Sequence, residues 1–103
     1  MNYAWQITHD HIENGKAVGV QGPHTIDRLQ LAMVEELAKD PEMCDALDTS
    51  HRFRLYDDDG VLYFEGVLTG SDLQLFEPLD DFGMPGAGCT RIDIHTYKGW
   101  VTV

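Results

Sequence analysis

Basic residues are scarce in this chain. Seven Lys and Arg stand against eighteen Asp and Glu, a formal charge of −11 over 103 residues. Non-specific binding to nucleic acid or to an anionic membrane needs cationic surface, so neither is expected here. Long apolar runs are missing too, and nothing approaches the ~18 residues of a transmembrane segment. The opening residues, MNYAWQITHD, lack the charged-then-apolar order of a signal peptide. Cysteine is limited to Cys44 and Cys89. Their spacing makes neither a redox nor a zinc pair, and they read as free thiols of a cytoplasmic protein. No repeat, low-complexity tract or linker divides the chain, and its length suits one domain.

Apolar content is sufficient for a core, with 43% hydrophobic and 10% aromatic residues. Tyr3, Trp5 and Ile7 alternate with Ala4, Gln6 and Thr8, the period of a half-buried strand. Residues 9–23 read as a glycine-bearing loop, with a short extended piece at 17–20. The period then becomes helical: Ile26, Leu29, Met33, Val34, Leu37 and Ala38 form an inward stripe, with Thr25 as N-cap and Pro41 as terminator. Residues 41–47 read as a short second helix with Met43, Cys44 and Leu47 inward.

The segment HRFRLYDDDGVLYFEGVL reads as a hairpin. Asp59-Gly60 suits a two-residue turn that pairs Tyr56 with Tyr63 and Arg54 with Glu65. Phe53, Leu55, Leu62, Phe64 and Leu68 then share one face. Residues 69–88 carry Leu73, Leu75, Phe76, Leu79 and Phe82, too apolar for a solvated loop, and are expected to pack over a sheet edge. Residues 89–97 alternate again, Lys98-Gly99 turns the chain, and residues 100–103 return with Tyr97 facing Trp100.

The fold class that follows is α+β: an antiparallel sheet of four to five strands, with one main helix and a short second helix packed on one face. The helix is expected on the side of Phe53, Leu55, Leu62, Phe64, Ile92 and Ile94. The opposite side would hold Tyr56, Tyr63, Tyr97, Trp100, Arg52, Arg54, Glu65 and His95, an unusually aromatic surface.

Several constellations carry side chains capable of chemistry. Asp57-Asp58-Asp59-Gly60 fails as a calcium loop, because Leu55 and Gly66 fall where oxygen ligands are required. His9 and His11 are two apart with Asp10 between them, but no second close Cys or His pair completes a zinc site. The glycines of residues 83–90 precede a strand, whereas a phosphate loop needs a following helix. Cys89, with Asp93 and His95, lies on one strand face, yet Cys89 and His95 would be about 20 Å apart at ~3.3 Å per residue. No cofactor, catalytic set or metal site is assigned.

Charge is unevenly distributed. Residues 35–48 hold six acids and one base, and residues 55–90 hold eight acids and no Lys or Arg. The segments WQITHDHI (5–12), FRLYDDDGVLYFEG (53–66) and PLDDFGMPGAGCTRI (78–92) resemble those of small acidic bacterial proteins found on chromosomes, plasmids and other mobile elements. The resemblance implies a free-standing cytoplasmic protein and brings no catalytic residue with it. The function expected is a non-enzymatic interaction module. Its partner would be another protein or a second copy, met by the face of Tyr56, Tyr63, Tyr97, Trp100, Arg52 and Arg54. In a special case Glu35, Glu36, Asp40, Glu42, Asp45 and Asp48 mimic DNA phosphates. The alternative is a small-ligand protein or enzyme using Cys89, His51 and His95, or His9 and His11.

Overall fold

The computed structural model describes residues 3–23, 26–70 and 75–103. Six strands form one antiparallel sheet: β1 (Tyr3–Asp10), β2 (Gln21–Gly22), β3 (Ser50–Tyr56), β4 (Leu62–Gly70), β5 (Arg91–Thr96) and β6 (Gly99–Thr102). Their order across the sheet is β2-β1-β4-β3-β5-β6. One helix, α1 (Arg28–Lys39), and a 3-10 helix (Pro41–Ala46) lie between β2 and β3. A π-helical turn (Leu79–Gly83) runs into the short α2 (Met84–Ala87) before β5. The α+β class is as expected, with more strands than the four or five read from the sequence.

The alternation of β1 holds, with Tyr3, Trp5 and Ile7 buried on one face. Phe53, Leu55, Phe64, Leu68, Ile92 and Ile94 join them in the larger core. The expectation of what covers this face is overturned. Its cover is the segment after β4, through Leu75, Leu79, Phe82, Ala87 and Cys89, and not α1. Asp81 ties that segment down by accepting hydrogen bonds from the Tyr3 hydroxyl (2.7 Å) and Trp5 Nε1 (2.9 Å). Helix α1 packs on the other face, where Val34 and Leu37 meet the small Ala4 and Val67. Small side chains on the sheet let a helix sit close, whereas the large ones opposite are matched by an irregular segment rich in leucine and phenylalanine.

The helix begins later than the sequence suggests. Asp27 is the N-cap, its carboxylate accepting from Gln30 N at 2.8 Å, and the expected cap Thr25 lies outside the described residues, as does Leu73. Its buried stripe runs through Val34 and Leu37, which leaves Leu29 82% and Met33 41% exposed. In the 3-10 helix only Cys44 is buried, and the expected partners Met43 and Leu47 point outward. Three residues per turn put Met43 off the row of Pro41 and Cys44, and Leu47 leaves that row because, as C-cap, its backbone is extended (φ −120°, ψ 129°).

Two β-bulges reset the register. The β3–β4 turn is a three-residue loop closed by Asp57 N to Val61 O (3.1 Å) and Gly60 N to Asp57 O (3.1 Å). The Asp57 carboxylate accepts from Asp59 N (2.9 Å) and Val61 N (2.8 Å), and Gly60 takes the left-handed φ of +78° that such a loop requires. Arg54 still faces Glu65, but Tyr56 faces Leu62, so the expected Tyr56–Tyr63 pair does not form. Tyr63 is the extra residue, and its ring packs edge-on to Phe64. On β1, Ile7 faces Gly66 while His9 faces Glu65, which makes Thr8 the extra residue there. Beyond it, Asp10 accepts from the N–H groups of Ile12, Glu13 and Ala17 and so organises the following loop. Burial would raise the Asp10 carboxyl, but those three bonds outweigh it and hold it below its ordinary range.

Gly66 sits between these bulges, where a Cβ would collide with the Gln6 carbonyl and the Phe53 ring. Gly66→Ala should cost about 1–3 kcal/mol through overpacking and lower Tm by about 4–8 °C per kcal/mol. Gly86→Ala, which meets open space, should leave the melting curve near wild type. Thermal unfolding followed by circular dichroism checks both, and equal Tm values would refute the account.

Candidate interaction surface

Helix α1 covers only the β1–β4 side of its face. The strands beyond it alternate so that Arg52 and Arg54 (β3), Glu65 (β4), Asp93 and His95 (β5), and Trp100 and Thr102 (β6) project on that same face. Trp100 is the hub. The Arg54 guanidinium stands 3.9 Å from its ring centroid, that of Arg52 5.6 Å, and the His95 ring meets it nearly edge-on at 5.1 Å. Cations over an indole face are attracted by its quadrupole, so these contacts fix the ring as well as cover it.

Each cation is engaged a second time. Arg52 reaches Asp45 of the 3-10 helix through Nη2 (3.0 Å) and Nε (3.3 Å). His95 Nδ1 is 3.1 Å from Asp45 Oδ1 and its Nε2 is 3.3 Å from Arg52 Nη2. Arginine can only donate, so the tautomer with its proton on Nδ1 satisfies both contacts. Arg54 Nε donates to Glu65 (3.2 Å), and His11 Nε2 meets the other carboxylate oxygen at 2.9 Å. Partial burial would raise the Glu65 carboxyl, but the bonds from His11 and Arg54 outweigh it and hold it below its ordinary value. At the far end Arg91 lies over Tyr56 (4.0 Å) and pairs with Asp93, which also accepts from Thr102 Oγ1 (2.7 Å).

Of the expected aromatic cluster, Trp100 and Tyr56 are on this face under separate arginines. Tyr63 has left it through the bulge, its hydroxyl bonded to Asp57, which together with that carboxylate's charge raises the phenol's pKa. Tyr97 is also off it. The β5–β6 turn is Tyr97-Lys98, with Thr96 facing Gly99 and His95 facing Trp100, one residue earlier than expected. Thr96 Oγ1 sets it by accepting from Lys98 N and donating to Gly99 O, both at 3.1 Å. Tyr97 therefore rides the tip, 93% exposed.

Two clefts border the 3-10 helix, one on this face and one at the end of the sheet, where His51, Thr96 and Gly99 of the opposite parity join its lining. The larger, about 610 Å³, is lined by Asp45, Asp48, His51 and His95. His51 reaches the His95 carbonyl there (3.2 Å), just past the end of the β3–β5 ladder. The smaller, about 240 Å³, is lined by His9, Glu42, Arg52, Glu65 and Trp100. Glu35, Glu36, Asp40, Glu42 and Asp48 are exposed, and of these Asp48 lines the larger cleft and Glu42 the smaller. Glu36 pairs with Lys39 and Asp45 with Arg52. Arg52, Arg54 and Arg91 face Asp45, Glu65 and Asp93, so the surplus negative charge lies outside this network.

Of the residues of the enzymatic alternative, His51 and His95 share the larger cleft, but Cys89 is apart from them. Cys89 is buried in the core on the opposite side of the sheet from His95. Burial pushes the Cys89 thiol up to about 11 and the Cys44 thiol up to about 12, away from thiolate chemistry. His9 and His11 stack, with ring centroids 6.2 Å apart, and no group of three metal-ligating side chains gathers among the described residues. No helix among these residues is long and apolar enough to cross a membrane.

The face shared by Arg52, Arg54, Glu65, His95 and Trp100 is as expected from the sequence, and the stacking of the guanidiniums on the indole is what alternation does not show. Arg52 and Arg54 two apart on β3, and a tryptophan on the hairpin beside them, must share a face once the register is known. No protein-family model, no curated protein and no solved structure matches this chain.

Glu65 also yields a pH test. A carboxyl held below its ordinary value of 4.5 contributes stability that is complete above that pH and is lost as pH falls through the folded value. Wild type should therefore exceed Glu65→Gln in urea stability at pH 7, and the gap should narrow steadily below pH 4.5. A gap that stays constant down to pH 3 would contradict the Arg54–Glu65–His11 assignment.

Proposed function

We propose that this chain is a non-enzymatic, cytoplasmic protein-interaction module that receives a basic protein surface on the face bearing Trp100 and the acidic residues 35–48. The observation that carries the reading is the placement of both clefts beside 3-10-helix carboxylates, with Trp100 at the rim of one. Asp48 lines one opening and Glu42 the other, both outside the arginine pairs, so lysine or arginine side chains of a partner would meet carboxylates there. Trp100, already held by Arg54 and His95, offers an aromatic anchor whose ordering is complete before binding. DNA mimicry is the special case in which the partner normally grips phosphates. Small acidic proteins of mobile elements, which the sequence resembles, are a natural setting for it.

Affinity capture from a bacterial lysate at low and high salt tests the reading, with Glu42→Lys/Asp48→Lys and Trp100→Ala as paired baits. A specific partner should be held at low salt and weakened roughly tenfold or more by either bait, and it should elute as screening rises. Displacement by duplex DNA would identify the mimic. Capture indifferent to both substitutions and to salt would overturn the proposal.

A further inference from the structure

The two edges of the sheet are finished differently. On the β1 side, Ile7 exchanges hydrogen bonds with Val20 (2.9 Å) and Gly19 (2.8 Å), and β2 is only two residues long, followed by Pro23. That edge is covered, shortened and ended by a residue without an N–H. At the other edge β6 reads Gly-Trp-Val-Thr, with no charge, proline or bulge, and among the described residues nothing pairs with its outer side. Exposed apolar side chains gather at this edge: Val101 is 41% and Val103 53% exposed, beside Tyr97 at the turn.

The hydrogen-bond phase of the hairpin decides what β6 can accept. Val103 N donates to Ile92 O (3.1 Å), and the ladder pairs Ile94 with Val101 and Thr96 with Gly99. Antiparallel pairs alternate between bonded and non-bonded, so the odd-numbered residues of β6 bond inward. Trp100 and Thr102 then present their N–H and C=O groups outward. From this we infer that β6 pairs antiparallel with β6 of a second copy, about a two-fold axis at Val101.

Only that register matches Trp100 to Thr102 of the second copy and Thr102 to its Trp100, so both outward residues of each strand are used. Centring on Trp100 would pair Thr102 with Lys98, which lies in the turn. Centring on Thr102 would use just one outward residue of β6. An isologous interface is self-complementary by construction, and this register is. Charge favours the same approach. Two copies at −11 repel each other, yet residues 91–103 contain Arg91 and Lys98 against Asp93 alone. The hairpin is thus a place where two acidic molecules can meet without opposing carboxylates. The occupant is a second copy, and it meets the outer backbone edge of β6, next to the clefts that Trp100 and Gly99 help to line.

The register makes Val101 face its own counterpart as a non-bonded pair, about 4.5 Å apart between Cα atoms, within disulfide range. Val101→Cys should therefore oxidise to a covalent dimer faster than Tyr97→Cys, an exposed turn control, by roughly tenfold or more, because pairing raises the effective thiol concentration. Cys44 and Cys89 are buried and do not compete. Light scattering should find wild type dimerising with concentration, more readily at high salt where repulsion is screened, and Val101→Lys monomeric with unchanged circular dichroism. If Val101→Lys fails to fold, the cysteine comparison decides. Equal cross-linking of the two cysteine variants, a wild type monomeric at both salt concentrations, or a folded Val101→Lys that dimerises like wild type would overturn the inference. Partner capture through the acidic clefts has the opposite salt dependence, so either idea can fail without the other.

Discussion

A six-stranded sheet has two faces to cover, and this chain has segments enough for about one and a half. Residues 75–89 seal the face of Phe53, Leu55, Phe64 and Ile94, where large apolar side chains make exposure most costly. Helix α1 then has only Ala4 and Val67 to meet, and it shields β1 and β4 but not β3, β5 or β6. The residues left there cannot be simply apolar, because among the described residues only the 3-10 helix reaches over them, nor simply charged, because they are half-buried. Arginines paired with carboxylates and laid over aromatic rings satisfy both conditions: the aliphatic stems and the rings cover each other while the charged groups stay hydrogen-bonded.

The parts legible in the sequence are those set by local period. Tyr3, Trp5 and Ile7 on one face of β1, Phe53 and Leu55 on one face of β3, and Ile92 and Ile94 on one face of β5 all follow from alternation, and the structure keeps them. Arg54 opposite Glu65 was legible as well, because complementary charge and the hairpin turn agreed. What alternation does not carry is which side of the sheet each connection packs on. Helix α1 is expected over Phe53 and Phe64, yet it packs on the smaller Ala4 and Val67, and the apolar segment 75–89 takes the large side chains instead.

Turns account for most of the remaining differences, and each is a matter of one residue. Asp57 binds two backbone N–H groups, which favours a three-residue loop over the two-residue turn suggested by Asp59-Gly60. The extra residue falls at Tyr63 and moves it off the face it was expected to share with Trp100. Thr96 does the same for the last hairpin, and Tyr97 goes to the tip instead of the sheet. A face that seemed to bear four aromatics therefore bears two, each under an arginine. Because period-two structure sends a slipped residue to the opposite side, such small errors in turn type alter a proposed binding surface far more than they alter the fold.

The same geometry bears on what this surface can do. An active site commonly keeps a nucleophile or base in a strained or electrostatically perturbed state. Here the guanidiniums of Arg52, Arg54 and Arg91 each have a carboxylate, the His95 ring nitrogens both have partners, and the two thiols are buried away from them. Groups satisfied in this way are held in one arrangement by their own neighbours. Binding surfaces gain from that order, since immobilising arginine and tryptophan side chains is otherwise part of the cost of association. That order comes from the same arginine–carboxylate pairs that allow half a sheet to remain uncovered.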